Sequence, residues 1–178
     1  IYDDNNRKFS GEYIYNINIL LEKLYNNSYY REVNTKKIIE NNNNHTVFQF
    51  EITGDILDPI IIEFLNNNAP KGLFRFEIGI QSVNYETNSL VDRHQDTKKL
   101  FHNILLIQAG GVIDLHLDLI AGLPKEDLES FKNTFNTVFQ LGAKELQLGF
   151  LKMLRGTKIR IESKKYGYTY QEQAPYEI

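Results

Sequence analysis

The strongest constraint on this chain is a regular alternation of short apolar runs with helical runs, which begins at Thr46. "TVFQFEI" reads as a strand and "DILDPIIIEFLNNNAP" as a helix with Pro59 in its first turn. "GLFRFEIGI" is the next strand. Asn84 then caps "YETNSLV", and "DTKKLFHNILLIQAGG" follows with apolar Leu100, Ile104, Leu105 and Ile107 and with Gly110 and Gly111 at its end. The strand "VIDLHLDLIAG" leads through Pro124 into a helix over "KEDLESFKNTFNTVFQLG", and "KELQLGFLKM" is the last strand. Strand followed by helix, four times over, predicts an α/β fold: a parallel sheet, closed or open, with helices outside. The unit repeats as supersecondary structure without a repeated sequence.

Upstream, "GEYIYNINILLEKLYNN" places Ile14, Ile17, Leu20, Leu21 and Leu24 at helical spacing, so an amphipathic helix is expected from Gly11 to Asn27. A second helix is expected around Lys36 to Glu40, and the run Asn41 to Asn44 reads as a polar turn.

Composition narrows the function classes. The 178 residues suit one domain, and 42% hydrophobic content is enough for a core. A net charge of -3 disfavours the basic footprint of a nucleic-acid binder and favours a small-molecule substrate or a protein partner. No apolar run is long enough to span a bilayer and no signal-peptide arrangement stands at the N-terminus, so no membrane association and a cytoplasmic location are expected. The chain has no cysteine. A disulfide framework, a thiolate metal site and a thiol nucleophile are therefore excluded.

Ligands of parallel α/β proteins gather at the carboxyl ends of the strands, and each strand supplies a polar residue there: Glu51, Gln81, Asp118 and Gln147. Alternation puts Glu77, Gly79 and Gln81 on one face, and likewise His116 and Asp118. Glu77 is expected to make an internal hydrogen bond or ion pair and to support Gln81. His116 and Asp118 also match a pair of metal ligands on one strand, as in metal-dependent hydrolases, but no further donor-rich strand end completes such a set. "AGLPKE" from Ala121 to Glu126 is a strand-to-helix junction in which the proline opens the helix. Arg93, in "LVDRHQD", ends a short helix just after the strand carrying Gln81.

Taken together, "FEIGIQSVNYETNSLVDRHQDTKKLFHNILLIQAGG" and "LHLDLIAGLPKEDLESFKNTFNTVFQLGAKELQLGFLKMLRGT" resemble the later half of a radical SAM core. The branch is similar to that of oxygen-independent coproporphyrinogen III oxidase, and closest to radical SAM proteins with a cobalamin-binding domain before the barrel. The resemblance implies a partial (β/α) TIM-like barrel with about four β/α units over residues 46–157, preceded by a helical or linker region (1–45) and followed by a C-terminal extension (158–178). It implies that Glu51 and Asp118 contact the ribose of S-adenosylmethionine, that Gln81 lies near the ribose and methionyl group, and that Arg93 pairs with the methionyl carboxylate. The backbone of Ala121, Gly122 and Leu123 would pass near the adenine. Carboxylates accept from vicinal hydroxyls and a guanidinium grips a carboxylate with two bonds, so the residue types suit these roles.

The resemblance also implies a [4Fe-4S] cluster and, in the closest branch, cobalamin. Radical SAM proteins hold the cluster with a CxxxCxxC loop that this chain lacks, along with the glycine-rich motif of the second strand. The expectation is a piece of a larger radical SAM enzyme that contributes one side of the cofactor pocket. The alternative is a noncatalytic α/β scaffold that binds a nucleoside-like ligand or a protein partner. A partial barrel leaves two strand edges open, and self-association through them is expected.

Overall fold

The computed structural model describes residues 35–42 and 46–178. The helix expected from Gly11 to Asn27 lies outside the described residues, as do Asn43 and Asn44. Residues 35–40 are helical, in a unit separate from the compact unit that begins at Val47 and runs to Ile178.

The second unit is built on four parallel strands in the order β1-β2-β3-β4: β1 (Phe48–Ile52), β2 (Phe74–Gln81), β3 (Asp114–Ala121) and β4 (Glu145–Phe150). Parallel neighbours require a crossover, and helices provide each one. The first is α1 (Pro59–Asn68), the second α2 (Tyr85–Leu90) with α3 (Thr97–Gly110), and the third α4 (Leu128–Phe139). Beyond β4 come a single-turn α5 (Lys158–Ile161) and a 3-10 turn at Ser163–Tyr166. Among the described residues β1 and β4 each pair on one side only, so the sheet is open.

The helices begin where short polar side chains satisfy free backbone N–H groups. Asp58 accepts from Ile60 N at 3.0 Å, Asn84 from Glu86 N at 3.0 Å, Asp96 from Lys99 N at 3.1 Å and Asp127 from Ser130 N at 2.8 Å. Gly111 closes α3 in the left-handed conformation. One boundary differs from expectation. Pro124 does not open the helix after β3: Gly122 and Lys125 both take positive φ, the chain turns, and α4 starts at Leu128 behind its Asp127 cap.

One face of the sheet carries the core. Phe74, Phe76, Ile78 and Ile80 of β2 alternate with Leu115, Leu117 and Leu119 of β3, and all are buried. Ile62 and Leu65 of α1, Leu100, Ile104 and Ile107 of α3, and Val138 of α4 are buried with them. Asn103, fully buried on α3, donates to the carbonyls of Gly54 (2.8 Å) and Leu57 (3.0 Å), which fastens the turn after β1 to that helix. The opposite face carries Gln49 and Glu51 of β1, Arg75 and Glu77 of β2, Asp114, His116 and Asp118 of β3, and Glu145 and Gln147 of β4. Among the described residues no helix is long and apolar enough to cross a membrane.

Leu117 is fully buried at the centre of this layer. Leu117→Ala should lower unfolding stability by about 2–5 kcal/mol in urea denaturation, whereas Leu105→Ala, on the exposed side of α3, should cost well under about 1 kcal/mol.

Candidate functional site

Strand register places the polar side chains in rows across the uncovered face. Glu51 of β1 stands opposite Glu77 of β2, which stands opposite His116 of β3, which stands opposite Glu145 of β4. One step toward the carboxyl ends, Gly79, Asp118 and Gln147 form the next row. Alternation puts Glu51 and Asp118 on this face, and Gln81 joins them through its side chain, which lies over Gly79.

At the carboxyl end of β2 the regular register breaks. Gln81 takes φ +67° and pairs with Leu119 across a bulge. Its amide folds back over Gly79, where an added Cβ would come within 2.5 Å of Gln81 Nε2 and 3.3 Å of Arg93 Nη2. The glycine therefore makes room for both groups. Arg93 reaches this point from beyond α2: Val91 caps the helix, Asp92 takes φ +57°, and the Arg93 guanidinium turns inward to donate through Nη2 to the carbonyl of Gly79. Gln95 Nε2 donates to the same carbonyl at 3.1 Å. Burial lowers the pKa of Arg93, while Asp55 and Glu51 favour its charge. Gln81 Oε1 and Arg93 Nε are buried without a hydrogen-bond partner, so two oriented polar atoms at this strand end remain unsatisfied.

Deeper in the face lies a charged network. Glu77 accepts from Gln49 Nε2 at 2.7 Å, a hydrogen bond at the surface rather than the internal one expected for it. Arg75 grips Glu145 with two bonds, Nη1 to Oε1 at 2.7 Å and Nη2 to Oε2 at 2.6 Å, and its Nη2 is also 2.7 Å from His116 Nδ1. His116 Nε2 and Asp118 Oδ1 are 3.0 Å apart. Desolvation raises the carboxyl pKa of Asp118; His116 opposes this, and the charges of Glu77 and Glu51 add to it. Arg75 holds the Glu145 carboxyl below its usual range. Neither Arg75 nor Glu145 is singled out by sequence reasoning; the available signal is that Arg75 shares the alternating face of Glu77, Gly79 and Gln81. Among the described residues no group of three His, Asp and Glu side chains is placed to hold a metal ion, which leaves the hydrolase-like pairing of His116 and Asp118 without its third ligand.

The segment Ala121 to Leu123 is engaged by the C-terminal residues. Tyr168 Oη donates to the Gly122 carbonyl at 2.8 Å, with its phenol pushed up to about 12 by burial, and Ile178 lies so close to Gly122 that a Cβ there would meet its Cδ1 at 2.5 Å. Leu123 packs with Leu151 and Met153 in a small cluster sided by Tyr168 and Tyr170. Arg160 holds this tail in place: it donates to the Met153 carbonyl at 2.8 Å, pairs with Glu172, and faces the rings of Tyr170 and Tyr176. A second clamp joins the loops after β2 and β3. Ser82 and Thr134 both donate to Glu126 Oε1, Thr134 at 3.1 Å, and Asn88 Nδ2 donates to the Ser82 carbonyl at 2.6 Å.

The raised Asp118 pKa has a stability consequence. The folded chain holds this proton more tightly than the unfolded chain, so the cost of ionisation is absent below the ordinary carboxylate pKa of about 4 and is fully present once the pH exceeds the raised value. Asp118→Asn should therefore raise the urea midpoint at pH 8 relative to the parent, and the difference should close as the pH approaches about 4. A variant less stable than the parent at pH 8 would contradict the assignment.

No protein-family model matches the chain. Over 106 residues it is 33% identical to oxygen-independent coproporphyrinogen III oxidase of Escherichia coli strain K12, a match covering 57% of this chain and 23% of that protein. The Salmonella typhimurium protein of the same description is 32% identical over the same length. The matched region thus spans about a quarter of the curated relatives. Among solved structures, coproporphyrinogen III oxidase from Escherichia coli, described as a radical SAM enzyme, superposes with a TM-score of 0.61 at 24% identity, over 85% of this chain and 33% of that one. The radical S-adenosylmethionine methyltransferase TsrM from Kitasatospora setae, solved with cobalamin and a [4Fe-4S] cluster, gives a TM-score of 0.61 at 13% identity, over 80% of this chain and 29% of that one. The chain is therefore homologous to the radical SAM enzyme oxygen-independent coproporphyrinogen III oxidase, and its four parallel strands are similar to part of the radical SAM barrel-like fold.

Proposed function

We propose that this chain forms the ribose and methionyl side of an S-adenosylmethionine pocket and works as part of a longer radical SAM protein. The observation that carries the reading is the cradle at Gly79, where Gln81 Oε1 and Arg93 Nε lie buried and unpartnered beside a position kept free of any side chain. A zwitterionic ligand with vicinal hydroxyls suits this donor set. Arg93 supplies the cation for the methionyl carboxylate, Gln81 an amide at the same end, and Glu51 and Asp118 acceptors for the ribose hydroxyls. The adenine side falls to the backbone of Ala121 to Leu123, whose carbonyls already accept from Leu151 N, Tyr168 Oη and Glu126 N, so it offers packing surface rather than free acceptors. S-adenosylmethionine, when bound, brings a sulfonium whose carbon–sulfur bond is the one to be cleaved.

The residues present do not fit the [4Fe-4S] cluster, because a chain without cysteine offers it no thiolate. No cleavage step is assigned to these residues, and no residue is assigned to cobalamin. The missing thiolates also favour a second reading, in which the same face holds a nucleoside-like ligand without redox chemistry. The open edges of β1 and β4, with Leu148 and Phe150 exposed on β4, support self-association or pairing with further strands.

Calorimetric titration of the chain with S-adenosylhomocysteine and S-adenosylmethionine tests the pocket. Saturable binding weakened about tenfold or more by Arg93→Ala and by Asp118→Ala is expected. Binding unchanged by both substitutions would place the ligand elsewhere, and absence of binding by the parent chain would remove the pocket as an independent site. Gly79→Ala probes the cradle separately: the new methyl displaces the flexible end of Gln81, so affinity should fall while the urea midpoint changes little. Adenosine binding at the affinity of S-adenosylhomocysteine, indifferent to Arg93→Ala, would favour the nucleoside scaffold instead.

A further inference from the structure

We infer that His116 is a positioning residue, held in one tautomer by Arg75 so that it presents an N–H to Asp118 and fixes which carboxylate oxygen remains for a ligand. Arginine carries only donors, so its 2.7 Å contact from Nη2 to His116 Nδ1 makes Nδ1 an acceptor. The ring proton of the neutral imidazole then resides on Nε2. That nitrogen is 3.0 Å from Asp118 Oδ1, and both atoms are shielded from solvent and without a hydrogen-bond partner. The pair lacks good alignment for a hydrogen bond as it stands, but a small rotation of either side chain supplies one, and the cost of leaving a buried donor and acceptor unmet drives that rotation.

The charges around the ring support this direction. From β2, Arg75 and Glu77 face His116; from β4, Glu145 faces it; and Asp114 and Asp118 flank it on its own strand. Glu145 Oε2 lies 3.6 Å from Nδ1, beyond hydrogen-bond range, and both its oxygens are taken by Arg75. Arg75 thus shields Nδ1 from the one carboxylate that would otherwise draw the ring proton there. Asp114 is occupied by Lys144 at 2.6 Å and Glu77 by Gln49 at 2.7 Å. The order of donation runs Arg75 to His116 to Asp118, and Oδ2 is left for a ligand hydroxyl. This deepens the proposed pocket and rests on it only in its last link.

Two measurements separate the links. In a long-range proton–nitrogen correlation spectrum at pH 8, with the His116 signals identified by their loss in His116→Gln, the parent should show the Nε2–H tautomer. Arg75→Met should move proton occupancy toward Nδ1, because Glu145 is then freed; Arg75→Ala is read the same way should Arg75→Met not fold. An Nδ1–H parent, or a tautomer indifferent to loss of Arg75, overturns the proposal. The second measurement is S-adenosylhomocysteine affinity. A glutamine at 116 can place an N–H where imidazole Nε2 stood, whereas asparagine reaches only the Nδ1 position. His116→Gln should bind within about threefold of the parent and His116→Asn about tenfold more weakly. Equal affinities for the two variants would overturn the positioning role. Failure of the parent to bind would count against the pocket alone, and the tautomer measurement would still decide the relay.

Discussion

Burial of one face of β2 and β3 beneath α1 and α3 is the constraint on which the remaining structure depends. Phe76, Ile78, Leu115, Leu117 and Leu119 are removed from water together because the two strands, parallel here, keep this register. A one-residue slip would exchange every buried side chain for a polar one. The same register that protects the core therefore fixes Glu77 beside His116 and Gly79 beside Asp118 on the other face. The candidate site is the complement of the core, and its geometry is as strongly specified.

A polar face of this kind needs partners, and cross-strand pairs provide some of them. Toward the amino ends of the strands the carboxylates are matched close to the surface: Glu145 by Arg75, Glu77 by Gln49, and Asp114 by Lys144. Buried atoms of Arg75, His116 and Asp118 lack partners within this network, as do those of Gln81 and Arg93 at the carboxyl end of β2. The bulge at Gln81 stands at that end. Positive φ at a residue other than glycine carries a conformational cost, and here it aims an amide back over the one position in β2 that has no side chain. Clamps from the flanking loops, Ser82 and Thr134 on Glu126 and Tyr168 on Gly122, hold that end of the sheet in shape.

Homology and geometry bear on different parts of the functional reading. The match to coproporphyrinogen III oxidase covers 57% of the chain and shows homology over that stretch. The donor set on the polar face is what the proposed S-adenosylmethionine pocket rests on. The absence of cysteine sets the boundary of that reading, because electron delivery requires ligands that this chain does not contain.

The two-residue and 3.6-residue periodicities settled in advance the parallel α/β class, all four strands and the helices capped by Asn84 and closed at Gly111, since local spacing alone encodes which side is apolar. They also placed Glu51, Gln81 and Asp118 in the later part of their strands, while the bond that Glu77 makes with Gln49 lies at the surface and not inside. Tertiary structure decided what depends on distant partners. Arg75 and Glu145 are 70 residues apart in sequence, so no local pattern reports their pairing. The start of α4 moved past Pro124 because positive φ at Gly122 and Lys125 turns the chain before the Asp127 cap. Arg93 reads as a surface side chain by local sequence, and becomes part of the site only because its inward turn finds the Gly79 carbonyl on another element. Periodicity reports a residue's face; which groups meet across that face is set by register, bulge and loop closure, which are properties of the assembled sheet.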